Sequence, residues 1–191
     1  MNRPIALVDV DGVICDFTRF YIRCAKRARV LPTDFDDAWQ PNHWSIGKSL
    51  DLTREGREAV HRVLSTHGAV HLGMEPYEGA LLGVKKLMLV ADVYFPTASF
   101  KDNTTWESDR RAWFRDHLGE EAASRLIFTD HKDVVFGDVF VDDKPENLLA
   151  WKKRWSGLGV LWPQPYNHEL PELRRPSTRD WDWLIDQVSF R

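Results

Sequence analysis

Asp9 and Asp11 stand two residues apart at the end of a short apolar run, Ile5 to Val10, and Gly12 follows them. A carboxylate so placed can attack phosphorus and form an aspartyl-phosphate. A second carboxylate can reach the same point if the chain leaves the extended conformation, a turn that Gly12 makes easy. It can then protonate the leaving oxygen and later activate water. Asp142 and Asp143 close another apolar run, Val139 to Val141, and Thr97 follows a third. Four acids gathered at one point would repel one another. A hard cation such as Mg²⁺ resolves that repulsion, since it takes a few carboxylates together with substrate phosphate and water. Lys132 and the Thr97 hydroxyl suit phosphoryl oxygens, and a metal with a lysine neutralises a transferring group.

Each part alone has an ordinary reading. Asp-x-Asp occurs in plain turns, and Asp-Asp before Lys-Pro is a common turn or helix cap. Thr97 alone would be a satisfied hydroxyl, and Lys132 alone a solvated charge. Their order along the chain, each at or between strand ends, is what points to one site.

Positioning them requires a parallel sheet, because ligands of such sheets bind beyond the carboxyl ends of the strands. Strand and helix patterns alternate along the chain, which predicts helices on both faces. Strands are predicted at Ile5 to Val10, Asp92 to Phe95, Leu126 to Phe128, Val139 to Val141 and Leu158 to Trp162. Apolar residues recur at helical spacing from Phe17 to Ala28, where Pro32 is the expected stop. Further helices are predicted near Thr53 to Leu64, through Leu81, Val84 and Leu87, and from Glu146 to Trp155. In another, Trp106, Arg110, Trp113, Phe114 and His117 share a face, and a short helix carries Trp181 to Val188. The stretch from Thr33 to Gly73 is polar and rich in Trp, His and Asp, and it reads as an insert outside the sheet.

Composition bounds the rest. The 191 residues favour one domain with a modest insert. A net charge of −3 gives no general electrostatic case for a long nucleic acid. The basic runs Arg23, Lys26, Arg27, Arg29 and Lys152, Lys153, Arg154 read as solvated helix faces. Two cysteines, Cys15 and Cys24, fit a reducing, cytoplasmic compartment. No apolar stretch reaches membrane-spanning length, and the opening MNRPIALVDVDG does not read as a signal peptide. Most of the nine tryptophans are expected in the core.

The order of the motifs resembles the haloacid dehalogenase superfamily. Asp9-Val10-Asp11-Gly12-Val13 matches its first motif, Thr97 its second, Lys132 its third, and Asp142-Asp143 its fourth. The segments LVDVDGVICDF, GMEPYEG, FTDHKDVV, VDDKPENL and WPQPYN look like those of the 5′(3′)-deoxyribonucleotidases, in matching order over nearly the whole chain. The resemblance implies an α/β fold: a doubly wound parallel sheet of about five strands, with a small, mainly helical cap insert. Residues 1–32 and 74–191 would form the core, and 33–73 the cap.

It further implies Asp9 as nucleophile and Asp11 as general acid and base. Mg²⁺ would rest on the Asp9 side chain, the Asp11 carbonyl and Asp143, with Asp142 supporting or sharing that role. Thr97, the Ala98 amide and Lys132 would hold phosphate, and Phe17 and Trp44 would flank the base. The expected partner is a small phosphomonoester, a deoxynucleoside monophosphate, and a homodimer is compatible with the family.

There are departures: Val70 and His71 replace aromatics before GMEPYEG, His43 stands beside Trp44, and Pro96 precedes Thr97. They leave the phosphoryl chemistry intact and bear on the substrate. A sugar phosphate or nucleic-acid end is the alternative substrate. A non-catalytic nucleotide-binding module is the alternative class, and the presence of both first-motif acids disfavours it.

Overall fold

The computed structural model describes residues 3–189. Five strands form one parallel sheet: β1 (Ile5–Val8), β2 (Asp92–Thr97), β3 (Leu126–Phe128), β4 (Val139–Asp142) and β5 (Leu158–Leu161). Their spatial order is β3-β2-β1-β4-β5. β1 is central, with Leu7 in register with Tyr94 on one side and Phe140 on the other. The carboxyl ends of β1, β2 and β4 therefore lie side by side, which gathers the predicted motifs at one edge.

Alternation along β1 sorts its side chains between two cores. Ala6 and Val8 join the larger cluster, with Val84 and Leu87 of α4 (Ala80–Val90), Trp113 and Phe114 of α5 (Trp106–Leu118), and Leu184 of α8 (Trp181–Ser189). Leu7 joins Phe140, Leu148 and Trp151 in the second cluster, where α7 (Pro145–Lys152) covers the other face. Both faces are covered, as a parallel sheet requires. Trp106, Trp113, Trp151, Trp162 and Trp181 are buried, whereas Trp44 is 58% exposed.

Several boundaries differ from the periodicity. β1 ends at Val8, two residues early, because the chain folds back at the site: the Ile14 and Cys15 amides both donate to the Val10 carbonyl. β2 runs on to Thr97, with Pro96 in register with Ile127, beyond the last β1 pair. Pro is tolerated there because that stretch has lost one of its two ladders. α1 (Phe17–Arg27) stops well before Pro32; the Ala28 amide closes its last turn and Arg29 takes a left-handed φ of 58°. α7 begins on Pro145 and ends at Lys152, short of Trp155.

Between α1 and α4 the described residues contain no strand. They carry α2 (Ile46–Ser49), α3 (Arg54–Leu64) and a 3-10 turn at Ala69–Leu72. Val70 is buried, and the His71 side chain lies outside the described residues. The Thr53 hydroxyl caps α3 by accepting from the Gly56 amide at 3.1 Å. Arg23 and Lys26 are not simply solvated: Arg23 pairs with Glu75 at 2.8 Å and Lys26 with Asp37 at 2.6 Å. Among the second basic run, Arg154 pairs with Asp133 at 2.7 Å. A short helix, α6 (Glu120–Ser124), leads into β3, and no described helix is long and apolar enough to cross a membrane.

Trp181 of α8 lies against Gly83 of α4, and a Cβ at Gly83 would overlap its indole ring. Gly83→Ala should cost about 1–3 kcal/mol through this overpacking. Chemical denaturation checks it, and an unchanged midpoint would show that α8 moves aside freely.

Candidate active site

Asp9 follows β1 and is 4% exposed. Lys132, on a 3-10 turn after β3 (Lys132–Val134), reaches back beneath it. Its Nζ lies 2.6 Å from Asp9 Oδ1 and 3.1 Å from Asp142 Oδ2. Carboxylate oxygens of Asp9, Asp142 and Asp143 lie within 4.8 Å of one another. Lys132 thus bonds two of three buried acids and Lys144 attracts the third from farther off, so negative charge still exceeds positive.

Asp142 and Asp143 are neighbours in sequence but differ in environment. Asp142 Oδ1 accepts the Lys144 amide at 2.8 Å, and Oδ2 accepts Asn147 Nδ2 at 2.9 Å and Lys132. Asp143 Oδ2 accepts the Tyr166 hydroxyl, whereas its buried Oδ1 has no partner. An unpaired buried carboxylate oxygen is costly, and in a residue whose carboxylate belongs to the acid cluster it leaves a position that a cation would suit.

Burial and repulsion from Asp142 push the Asp143 carboxyl up to about 7. The same two causes raise Asp9 well above 3.8, and Lys132 only partly opposes them. For Lys132 itself burial acts downward, but attraction to Asp142 and Asp9 outweighs it and the ammonium is held charged.

Gly12 makes the turn at a φ of +85°, and a Cβ there would fall 2.5 Å from Asp143 Oδ2. A side chain is thus excluded by conformation and by space. Residues after β5 brace this turn. Gln164 Nε2 donates to the Gly12 carbonyl, and Asn167 Nδ2 donates to the Asp143 carbonyl at 2.8 Å.

Asp11 points elsewhere. Arg110 Nη2, from the inward face of α5, donates to its Oδ1 at 2.9 Å and its Oδ2 at 3.0 Å. Thr97 ends β2 beside β1 and is 1% exposed. A cavity of about 220 Å³ opens above these residues, with Asp11, Asp143, Ala98, Phe17, Trp44 and Lys144 in its wall. Phe17 also packs on Phe20, with ring centroids 5.9 Å apart. Trp44 has the Lys144 ammonium 4.9 Å from its ring centroid, and His43 packs beside it. Asp9, Asp142, Thr97 and Lys132 are buried and do not line this cavity.

The sequence assigns no role to Arg110, Asn147, Tyr166, Gln164 or Asn167, although the last four lie within the segments VDDKPENL and WPQPYN. Arg110 carried a signal, being a lone cation among the aromatic residues of one helix face. Asn147 acts from the first turn of α7, and Gln164, Tyr166 and Asn167 from the loop after β5, whose approach is not periodic.

The fold and the acid cluster at its edge define a hydrolase of the haloacid dehalogenase type. A haloacid dehalogenase-like hydrolase from Streptococcus pneumoniae superposes with a TM-score of 0.61 at 10% identity, over 99% of each chain. The chain belongs to the family described as 5′ nucleotidase, deoxy (pyrimidine), cytosolic type C protein, whose model matches residues 3–188. It is accordingly a phosphoric monoester hydrolase of the nucleotidase type. The human cytosolic-type 5′(3′)-deoxyribonucleotidase is 30% identical over 88% of this chain and 85% of its own. The mouse mitochondrial 5′(3′)-deoxyribonucleotidase is 24% identical over 97% and 86%.

The raised carboxyls set a pH dependence. A carboxyl with a raised folded-state value binds more protons folded than unfolded, so its stabilising contribution is lost as pH rises through that value. The ion-free protein should therefore lose melting temperature as pH climbs from 3.8 through about 7. Added Mg²⁺ should raise the melting temperature more at about pH 8 than at about pH 5. Thermal melts with and without Mg²⁺ check this; equal increments at both pH values would place the ion elsewhere.

Proposed function

We propose that this chain hydrolyses the phosphate monoester of a deoxynucleoside monophosphate through an aspartyl-phosphate on Asp9. The carrying observation is Asp9 bonded to Lys132 within an undercompensated acid cluster, whose Asp143 also lines a cavity walled by Phe17 and Trp44. The nucleotidase names of the relatives support the substrate.

Asp9, Asp143 and the Asp11 carbonyl would hold Mg²⁺, which when bound supplies positive charge beside the transferring phosphoryl group. The unpartnered Asp143 Oδ1 fits that role. Asp142, already occupied by three donors, fits a supporting one, holding Lys132 in place. An Asp9 carboxylate oxygen attacks phosphorus as the bond to the leaving oxygen breaks. Asp11 gives that oxygen its proton. Asp11 then takes a proton from water as the water oxygen attacks the acyl phosphate, which releases phosphate and restores Asp9. Lys132, the Thr97 hydroxyl and the Ala98 amide would bind the phosphoryl oxygens. Phe17 and Trp44 would stack on the base, with residues 33–73 acting as a cap over the site. The cytosolic-type human relative supports a cytoplasmic setting.

A phosphate-release panel across nucleoside monophosphates and sugar phosphates, with and without Mg²⁺, tests the reading. Release from deoxynucleotides only with Mg²⁺ is expected. A clear preference for a sugar phosphate would shift the substrate to another small phosphomonoester, the reading that His43 and Val70 favour. Asp9→Asn should lower turnover by about 10⁴-fold or more, and near-normal turnover would overturn the mechanism. Lys132→Ala should cost about 10²- to 10³-fold.

Trp44→Ala should raise KM roughly tenfold, the lower end of a base-stacking contribution. Steady-state kinetics on the preferred nucleotide measures it, and an unchanged KM would remove Trp44 from the base site.

A further inference from the structure

Arg110 is the largest buried cation that the proposed chemistry leaves unused. It is 0% exposed, and its Cζ lies 5.1 Å from the Trp106 ring centroid. Nη1 donates to Cys15 Sγ at 3.6 Å, Nη2 spans both oxygens of Asp11, and Nε has no partner. Arg110 does not line the cavity, whereas Asp11 does. The guanidinium therefore stands behind the aspartate and out of reach of a ligand.

Such an arrangement is a poor device for stability alone. Burying a guanidinium is costly, and a buried ion pair is commonly no more stabilising than apolar packing of equal volume. What the pair does supply is orientation. Asp11 sits on a turn, its side chain 28% exposed, and among the described residues no other group donates a hydrogen bond to its carboxylate. Arg110 is held by a 13-residue helix packed into the core. Nη2 transmits that rigidity to both carboxylate oxygens, oriented by the planar guanidinium whose Nη1 is held on Cys15.

We propose that Arg110 is the positioning residue for Asp11, fixing the carboxyl at the cavity wall where it hands a proton to the leaving oxygen. This rests on the reading of Asp11 as general acid. The consequence is selective. An alkoxide leaving group, as in a nucleotide, needs that proton; a stable phenolate, as in para-nitrophenyl phosphate, does not. Loss of orientation should therefore damage one class of ester and spare the other, whereas general loosening of the site should damage both.

The test measures kcat/KM, which reports the steps up to phosphoryl transfer, for the full chain with Mg²⁺ on a deoxynucleoside monophosphate and on para-nitrophenyl phosphate. Arg110→Met should lose about 10²-fold on the nucleotide, the lower range for general acid catalysis, and no more than about threefold on the aryl ester. Arg110→Lys, which keeps the charge but not the planar guanidinium and its Cys15 contact, should recover most of the nucleotide loss. If the methionine variant fails to fold, the lysine variant alone should still lose several-fold on the nucleotide only. Equal losses on both esters, or none on either, overturn the proposal. Asp11→Asn run alongside separates the causes: if it fails to discriminate between the esters, the reading of Asp11 as acid falls, and the inference with it.

Discussion

Three carboxylates within 4.8 Å of one another, all buried, repel strongly unless positive charge is brought among them. Lys132 supplies one charge, bonded to Asp9 and Asp142. Much of the local architecture follows from that shortage. The 3-10 turn after β3 exists where the lysine must reach inward. Asp142 is saturated by the Lys144 amide and Asn147, so its charge is spread over fixed dipoles. Asp143 keeps one buried oxygen without a partner, which leaves a place in the cluster for further positive charge. Phosphate chemistry suits such a place, because the charge that stabilises the acids also stabilises a transferring phosphoryl group.

The two aspartates of the first turn thereby have different partners. Asp9 faces Lys132 and the acid cluster, and Asp11 faces Arg110. Gly12 makes the separation feasible: its left-handed φ sharpens the turn, and its missing Cβ leaves room for Asp143. Gln164 and Asn167, which follow β5, hold the backbone of Gly12 and Asp143. A turn that would be mobile in isolation is thus fixed from the far side of the sheet.

The cavity above depends on a different set of contacts. Asn103, in the loop after β2, donates to the Leu64 and Thr66 carbonyls at 2.8 and 2.9 Å, tying the end of α3 to the loop that carries Ala98 and Phe100. Glu75, shortly before α4, joins Arg19 and Arg23 of α1. These ion pairs are partly exposed and each contributes little to stability. Their value is geometric, since Phe17 at the start of α1 and Trp44 before α2 must face one space.

The sequence by itself determined the sheet, because parallel strands buried on both faces must be short apolar runs, and five such runs are visible. The acids were legible as carboxylates closing apolar runs, and Lys132 only through its order among the motifs; the structure brings Asp9, Asp142, Asp143 and Lys132 together. Strand ends were less legible: β1 stops at Val8 because Val10 accepts hydrogen bonds from Ile14 and Cys15, which no periodicity encodes. Only the tertiary structure decided that Asp142 is saturated and Asp143 is not, although the two are identical in type and adjacent. It alone brought Arg110 to Asp11, 99 residues away. The physical reason is common to both: hydrophobic spacing is a local property of the chain, whereas the partner of a buried charge is set by which distant elements the folded core presses together.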